Sequence, residues 1–455
     1  MVLGAFHRLR TALLGGVRLT RRGSAFLIAG VLGYAIAFGS ATPILLYIAT
    51  VCVTLPLLAV VFVRTRQSAL VISRRFSQQV IEAGATTAVT LRVDNSSARS
   101  TVRMQWRDVL PWKPWLTERG WLPRLAPKSP AGRDKSAAQL SYALSPQRRG
   151  VFEIGPLALE ITDAFDMAWG SWNVGSTTPL IVTPQVHSLT TTGLSSQSGD
   201  GEARVVQRRA AGDDDDVMTR EYRRGDAMRR VHWKASARHG SLMVRQEEQH
   251  SYPEARIIVD TRVEGYPDAS RAVTRSTDGR EVSESHSARF EWVVAMLASA
   301  AVQLRREGFL VQIVETGASQ LTDAATLHRR SAAEQELLTR LATFTPTQSA
   351  AQWWGRGVSG TAGRGPLIAL VAAPEPETID FLIGQNSTKD LATAFIVEAP
   401  AGRAWSERFG AAQQRPARTV LEEAGWLVIP VQSFDDISDV WNEFVAATRV
   451  THELD

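Results

Sequence analysis

The residues best equipped for chemistry lie between Arg220 and Gly240, "REYRRGDAMRRVHWKASARHG", where seven Lys or Arg side chains surround Asp226, His232 and His239, with Tyr222 and Trp233 among them. Three kinds of chemistry suit such a set. Asp226 and His232 are a carboxylate and an imidazole, the pair that moves protons in general acid–base work or activates a nucleophile in a hydrolase or transferase. The guanidinium forks of Arg220, Arg229 and Arg238 suit bidentate capture of carboxylates or phosphates. The same cations, with Tyr222 and Trp233 available for stacking, are the ingredients of a nucleic-acid grip.

Local charge separates these readings. His232 stands two residues from both Arg230 and Lys234, and those cations lower its proton affinity and oppose a divalent ion. The acidic run 213–216 repels phosphates, which argues against nucleic acid and favours arginines paired with carboxylates, in this chain or on a docking protein. Net charge is only +5, from 51 basic and 46 acidic residues, so the surface is mixed with local basic patches. The single cysteine, Cys52, excludes an intrachain disulfide framework and a thiolate metal site. The Gly-x-x-x-x-Gly-Lys-Ser/Thr phosphate loop, the Gly-x-Ser-x-Gly elbow and the His-Glu-x-x-His metal helix are all absent. "GTAGRGP" has the glycines but runs through Pro366 into a strand, the reverse of a phosphate-binding order. No cofactor is expected.

The elements that must position this motif begin with a membrane hairpin. Residues 23–63 contain no Asp, Glu, Lys, Arg or His, whereas one span needs about 20 apolar residues. The break at "GSATP" gives helices around 24–38 and 44–63, with Pro56 a kink in the second. Arginines 8, 10, 18, 21 and 22 precede the block and 64, 66, 74 and 75 follow it, so the positive-inside rule predicts a two-pass protein of a bacterial plasma membrane with both termini cytoplasmic. The "AIA" at 35–37 has the form of a signal-peptide cleavage site, but a hairpin anchor explains both apolar stretches and a signal peptide only one.

The fold class expected is α+β multidomain: two N-terminal transmembrane helices in 1–66, a small antiparallel β-sandwich or barrel in 67–187, a linker and the Arg-rich motif in 188–254, and a doubly wound α/β domain in 255–455. Alternating Val, Thr and Ile broken by Gly and Asn-Ser turns support the β-module. An excursion within it, 105–135, carries Trp106, Trp112, Trp115 and Trp121 among basic residues and is too Pro-rich for a central strand. Its chemistry suits a bilayer headgroup surface, or packing onto the sandwich. In the last region apolar runs at 255–260, 309–315, 367–373, 392–398 and 426–431 alternate with helices at 289–306, 332–343, 378–383 and 434–447, the pattern of a parallel sheet covered on both faces. Ligands of such sheets bind at the strand carboxyl ends, directing attention to the loops after Asp260, Glu315, Ala373 and Glu398. Two insertions, 262–288 and the glycine-rich 355–366, are predicted to be exposed and mobile.

The first of these strands ends in "DTRVE". Its position is similar to that where von Willebrand A domains hold Mg²⁺ through Asp-x-Ser-x-Ser oxygens, but Arg262 and Glu264 replace the serines. The expectation is a fold of that type with a degenerate site at Asp260 and no metal. The order Arg220-x-Tyr222-x-x-Gly225-Asp226-x-x-Arg229-x-Val231-His232-Trp233-x-x-Ser236-Ala237-Arg238 resembles the signature of the domain-of-unknown-function 58 family, bacterial membrane proteins with a metal-poor von Willebrand A-like domain. "RRGVFEIGP" and "TDAFDMAWG" resemble two further family elements, with Ala164, Asp166 and Met167 departing from the second. The resemblance implies a non-enzymatic accessory protein working beside a MoxR-type AAA+ ATPase, often with a transglutaminase-like membrane protein. It leaves the signature as either a partner-binding face or an internal lock between the β-module and the α/β domain.

Overall fold

A computed structural model describes residues 16–40, 42–112, 119–128, 136–193, 219–222, 228, 231–245, 253–275, 281–321, 326–327, 331–348, 366–386, 392–398 and 411–453. Trp115, Gly225, Asp226, Arg229, the acidic run and nearly all of the glycine-rich insertion lie outside the described residues. The chain divides into two compact units, 1–185 with 271–284 and 338–344, and 186–270 with 285–337 and 345–455.

In the first unit, α1 (Arg21–Ser40) and α2 (Pro43–Thr65) are the two apolar helices, each long and apolar enough to cross a membrane. Pro43 opens α2, where its missing N–H costs nothing, and Pro56 lies inside it. Ile28, Val31, Leu32, Ile36 and Leu58 point outward, each more than half exposed. The helices meet through small residues: a Cβ on Gly30 would lie 2.6 Å from Val53 Cγ2, and one on Gly33 3.1 Å from Ala49 Cβ, the close backbone approach that small residues permit between apolar helices.

A short strand that alternation cannot reveal precedes them. β1 (Val17–Leu19) pairs antiparallel with β10 (Ala168–Val174), which joins the basic N-terminal segment to the β-module. The other strands of the module are β2 (Leu70–Phe76), β3 (Val80–Glu82), β4 (Thr87–Asn95), β5 (Met104–Asp108), β6 (Gly120–Leu122), β7 (Ala137–Leu144), β8 (Gly150–Ile154), β9 (Leu157–Thr162) and β11 (Thr178–Thr183). They form sheets ordered β1-β10-β9-β5-β6, β2-β4-β7 and β3-β11-β8 around a shared core that includes Val89, Leu91, Met104, Leu122, Leu159 and Val182. Pairing is antiparallel except between β3 and β11, which run parallel, a departure from the purely antiparallel module expected. The 105–135 excursion also holds strand: Met104, Trp106 and Asp108 alternate inward along β5, and period two overrides the Pro-rich composition nearby.

One ion pair is sealed in this core. Arg74 Nε and Nη2 bond Asp108 Oδ2 and Oδ1 at 3.0 and 2.6 Å, with the two side chains 2% and 0% exposed. Tyr142 Oη donates to Asp108 Oδ2 at 2.5 Å, and Arg74 Nη1 reaches Ser176 O and Thr178 Oγ1. Both carboxylate oxygens and all three guanidinium nitrogens therefore have partners, the condition under which a buried pair is tolerated.

The second unit is built on a sheet ordered β18-β17-β14-β19-β20-β21. Strands β14 (Glu254–Val259), β17 (Leu310–Glu315), β19 (Leu367–Val371), β20 (Ala392–Glu398) and β21 (Leu427–Gln432) are parallel, and the edge strand β18 (Thr326–Leu327) is antiparallel. Alternate residues of β19 and β20 face opposite layers. Leu367, Ala369, Ala394 and Ile396 pack with Leu382 of α6 (Pro376–Gln385) and Leu421 of α7 (Ala411–Glu423). Phe395 faces the other way, onto Phe444 of α8 (Ile437–Glu453) with ring centroids 5.9 Å apart. Helix α4 (Ala288–Arg306) starts at Ser287, whose hydroxyl accepts from Phe290 N, an N-cap, and α5 (Ser331–Leu341) follows β18. Helix α7 escapes the sequence reading because few apolar residues mark it.

Two expected loops prove to be structured. Insertion 262–288 contains an antiparallel pair, β15 (Ser270–Arg275) and β16 (Glu281–His286). The start of the expected linker is a strap on the α/β unit: His187 N bonds Ser299 Oγ, Trp441 Nε1 bonds Thr190 O, and Thr192 N bonds Glu307 Oε1, all at 2.9 Å.

Candidate functional site

The Arg-rich signature folds as a strand, a short helix and a returning strand. β12 (Thr219–Glu221) pairs antiparallel with β13 (Met243–Arg245), so that Arg220 faces Val244 in the register. Between them lies α3 (Trp233–His239). His232 is its N-cap: Nδ1 accepts from Ala235 N at 3.1 Å, which requires Nδ1 to carry no proton. Its backbone N–H bonds Met243 O at 2.8 Å. Ser236 Oγ accepts from Met243 N at 2.8 Å and reaches His232 O at 3.1 Å, tying helix to strand over buried Val231, Met243 and Val244. Gly240 ends the helix with φ 70°, the left-handed C-cap that glycine adopts without strain.

His232 and Ser236 thus hold the motif together. Tyr222 is half-buried, and its N–H bonds Leu242 O at 2.7 Å. Trp233 and Arg238 point outward, Trp233 being 66% exposed; the ring is displayed instead of packed onto the sheet. The catalytic pairing of Asp226 with His232 involves a residue outside the described set.

A second cluster lies where the sheet topology places ligands. The chain passes from β14 outward to β17 and then back across to β19, so the crevice between the carboxyl ends of β14 and β19 is the topological switch point. Asp260, Thr261 and Arg262 follow β14 directly, and all three are fully buried. Arg262 turns back into the crevice: Nε lies 3.4 Å from Asp260 Oδ1, Nη1 is 2.9 Å from Glu375 Oε2, and Nη2 bonds Thr378 Oγ1. Glu375 is the N-cap residue of α6, Pro376 opens that helix, and Thr378 is in its first turn. One guanidinium therefore clamps the start of α6 to the end of β14.

Asp260 is supported unevenly. Its Oδ1 accepts from Arg262 N at 3.2 Å and Thr316 Oγ1 at 2.6 Å as well as from the guanidinium. Its Oδ2 is buried with no hydrogen-bond partner among the described residues, and Gly265 lies against it, where a Cβ would approach to 2.6 Å. Tyr266 Oη donates to the backbone oxygen of Asp260 at 2.6 Å. Burial holds the Tyr266 phenol well above its ordinary pKa, and the charges of Asp260 and Asp268 push it further, so it remains a donor.

These residues do not fit Mg²⁺. That ion needs a near-octahedral shell of oxygens at about 2.0–2.1 Å, whereas here a buried guanidinium lies against the carboxylate and Arg262 and Glu264 stand where two hydroxyls would be required. Sequence reasoning found Asp260 and Arg262 but missed Thr316, Tyr266, Glu375 and Thr378. The signals were present: Thr316 follows Glu315 directly and Glu375 comes two residues after Ala373, both at strand ends singled out, and "EPET" reads as a helix start.

The aromatic candidates of the β-module divide. Trp106 is a core residue at 7% exposure, and Trp112 is half-buried with its ring edge-on to Phe152 at 4.8 Å. Trp121 is 52% exposed with the Arg103 guanidinium 4.2 Å from its ring centroid.

Residues 218–271 match the family described as protein of unknown function DUF58. The matched segment runs from the signature hairpin through β14 to the buried Asp260, Arg262 and Tyr266, so it holds the described signature residues and part of the second cluster, while Thr316, Glu375 and Thr378 lie beyond it. No curated protein matches the chain. Among solved structures, the CARDB domain of the PF1109 protein from Pyrococcus furiosus, in complex with di-metal ions, is similar at 11% identity and a TM-score of 0.19, over 26% of this chain and 97% of that one. The Bacteroides uniformis beta-glucuronidase 2 is similar at 8% identity and a TM-score of 0.16, over 78% of this chain and 31% of that one. Likenesses this weak assign no fold.

Proposed function

We propose that the chain is a membrane-anchored, cytoplasm-facing, non-enzymatic adaptor or assembly factor that works with a MoxR-type AAA+ ATPase. The observation that carries the reading is the side chain of Arg262, which fills the switch-point crevice from within and takes Asp260 as its own partner. A crevice closed by its own chain lends the sheet to scaffolding, and the exposed Trp233 and Arg238 of the signature offer a partner an aromatic ring and a cation. His232 supports the same reading, because its Nδ1 is committed to capping α3.

The α/β unit is read as von Willebrand A-like on the strength of its strand order, its antiparallel edge strand and an aspartate at the end of its first strand, with the guanidinium in place of the ion. The anchor is read as two-pass in a bacterial plasma membrane with both termini cytoplasmic, from the exposed apolar faces of α1 and α2 and the arginines flanking both. Carboxylates on the ATPase are the counterpart that the signature arginines fit; a transglutaminase-like membrane protein is a second partner in this reading.

The test is crosslinking in native membranes followed by purification of the full chain, beside a folded Trp233→Ala, Arg238→Ala variant. An AAA+ ATPase should co-purify with the wild type and fall several-fold with the variant. Its absence from the wild type would overturn the reading.

A further inference from the structure

The turn between β9 and β10, residues 163–167, lies at the foot of α1. Thr20 N bonds Met167 O at 2.9 Å, Thr20 Oγ1 bonds Asp166 O at 2.5 Å, and Arg22 reaches Asp166 at 3.7 Å. A Cβ on Gly23 would come within 2.1 Å of Met167 O, so the turn and the first turn of α1 touch backbone to backbone. Gly170 on β10 is pressed the same way by Val63 near the end of α2, whose Cγ1 would be 2.7 Å from an added Cβ. The start of α1 is thereby held on the turn and the end of α2 on β10, which follows it directly, and the depth of the turn relative to the helices is fixed with them.

The turn itself is rigid and displays an apolar side chain. Asp163 Oδ1 accepts from Met167 N and Ala168 N at 2.8 and 2.6 Å, and its Oδ2 accepts from Phe165 N at 2.9 Å. With its backbone so held, Phe165 is 65% exposed. Exposed arginines 18, 21 and 22 lie in β1 and the first turn of α1, Arg22 within 3.7 Å of Asp166, and exposed arginines 64 and 66 stand at the end of α2; Arg18 faces Trp169 across the β1–β10 register, its guanidinium 5.9 Å from the ring centroid. An aromatic ring on a turn held against the start of an apolar helix, with cations at the start of α1 and the end of α2, suits an anionic headgroup surface.

We propose that the 163–167 turn is an interfacial anchor, with Phe165 inserted at the headgroup–acyl boundary of an anionic bilayer and the basic flanks of the two helices drawn to the same headgroups. This rests on the reading of α1 and α2 as membrane-spanning. Its consequence is that the β-module is held in one orientation on the bilayer, with no tether between them.

The test uses the full chain in nanodiscs of anionic phospholipid, in a Cys52→Ala background, with an environment-sensitive fluorophore on Phe165→Cys or, as the control inside the span, on Val51→Cys; unchanged melting shows that each is folded. The fluorophore at 165 should be quenched several-fold more by lipids carrying a shallow nitroxide than by lipids labelled at the chain end, and be shielded from aqueous iodide. Quenching by iodide alone, or by neither agent as when a protein covers the turn, overturns the proposal while a quenched control at 51 leaves the spanning helices intact. A control at 51 that lipid nitroxides do not quench overturns the spanning reading and the proposal with it.

Discussion

Each unit brings an arginine, an aspartate and a tyrosine together, and the two trios are wired differently. In the β-module Tyr142 donates to the carboxylate of Asp108, and Arg74 grips that carboxylate with two parallel bonds, so no oxygen is left over. In the α/β unit Tyr266 donates to the backbone oxygen of Asp260, Arg262 Nε bonds Oδ1, and Oδ2 is left without a hydrogen-bond partner among the described residues. The first trio is a closed core element. The second lies at the position where an open parallel sheet takes ligands and spreads its guanidinium toward Glu375, whose side chain is 39% exposed. A buried carboxylate oxygen without a partner is an exception among buried polar groups, and it falls at that strand end and not in the closed trio of the β-module.

The sharpest way to break the contrast is to remove one member of each trio's ion pair. Asp108→Ala leaves Arg74 buried without its carboxylate and should cost close to 5 kcal/mol, the upper end for a broken buried pair, read as a large fall in melting temperature. Arg262→Ala should cost less, about 3 kcal/mol, because Asp260 keeps the Thr316 hydroxyl and a backbone N–H and Glu375 can turn to water. Equal losses in the two variants would erase the distinction drawn between the trios.

The smallest effect is a pH dependence. Burial raises the Tyr142 phenol far above its ordinary range, and the Asp108 charge and hydrogen bond raise it further; Tyr266 is raised in the same direction. A raised pKa means that the folded state keeps a proton the unfolded chain loses near pH 10. Above that pH the unfolded state binds fewer protons, so stability is retained below it and falls as pH rises. Melting between pH 8 and 11 should show this decline, and Tyr142→Phe should make it shallower. A wild-type profile that is flat across that range would contradict the burial of these phenols.

The parts of the fold legible in the sequence were those with long periods. Forty-one residues without a charge announce α1 and α2, and the apolar runs at β14, β17, β19, β20 and β21 announce a parallel sheet. What escaped was short or nonlocal. β1 is three residues beside an arginine-rich stretch, too brief for alternation to register, and exists because β10 pairs with it. Trp106 was legible as an aromatic among cations; only the inward phase of Met104, Trp106 and Asp108 along β5 makes it core. At the candidate site Asp260 and Arg262 are neighbours in sequence, but Glu375 and Thr378 lie more than a hundred residues on, and only the return of the chain from β19 into α6 brings them to the guanidinium.

The central claim, that Arg262 is the resident cation of the switch-point crevice, is tested most directly by titrating the full-length protein in detergent with Mn²⁺ under electron paramagnetic resonance, beside Asp260→Asn. The account predicts that the free-ion signal is undiminished by the wild type. Stoichiometric loss of that signal with wild type, abolished in Asp260→Asn, would contradict it.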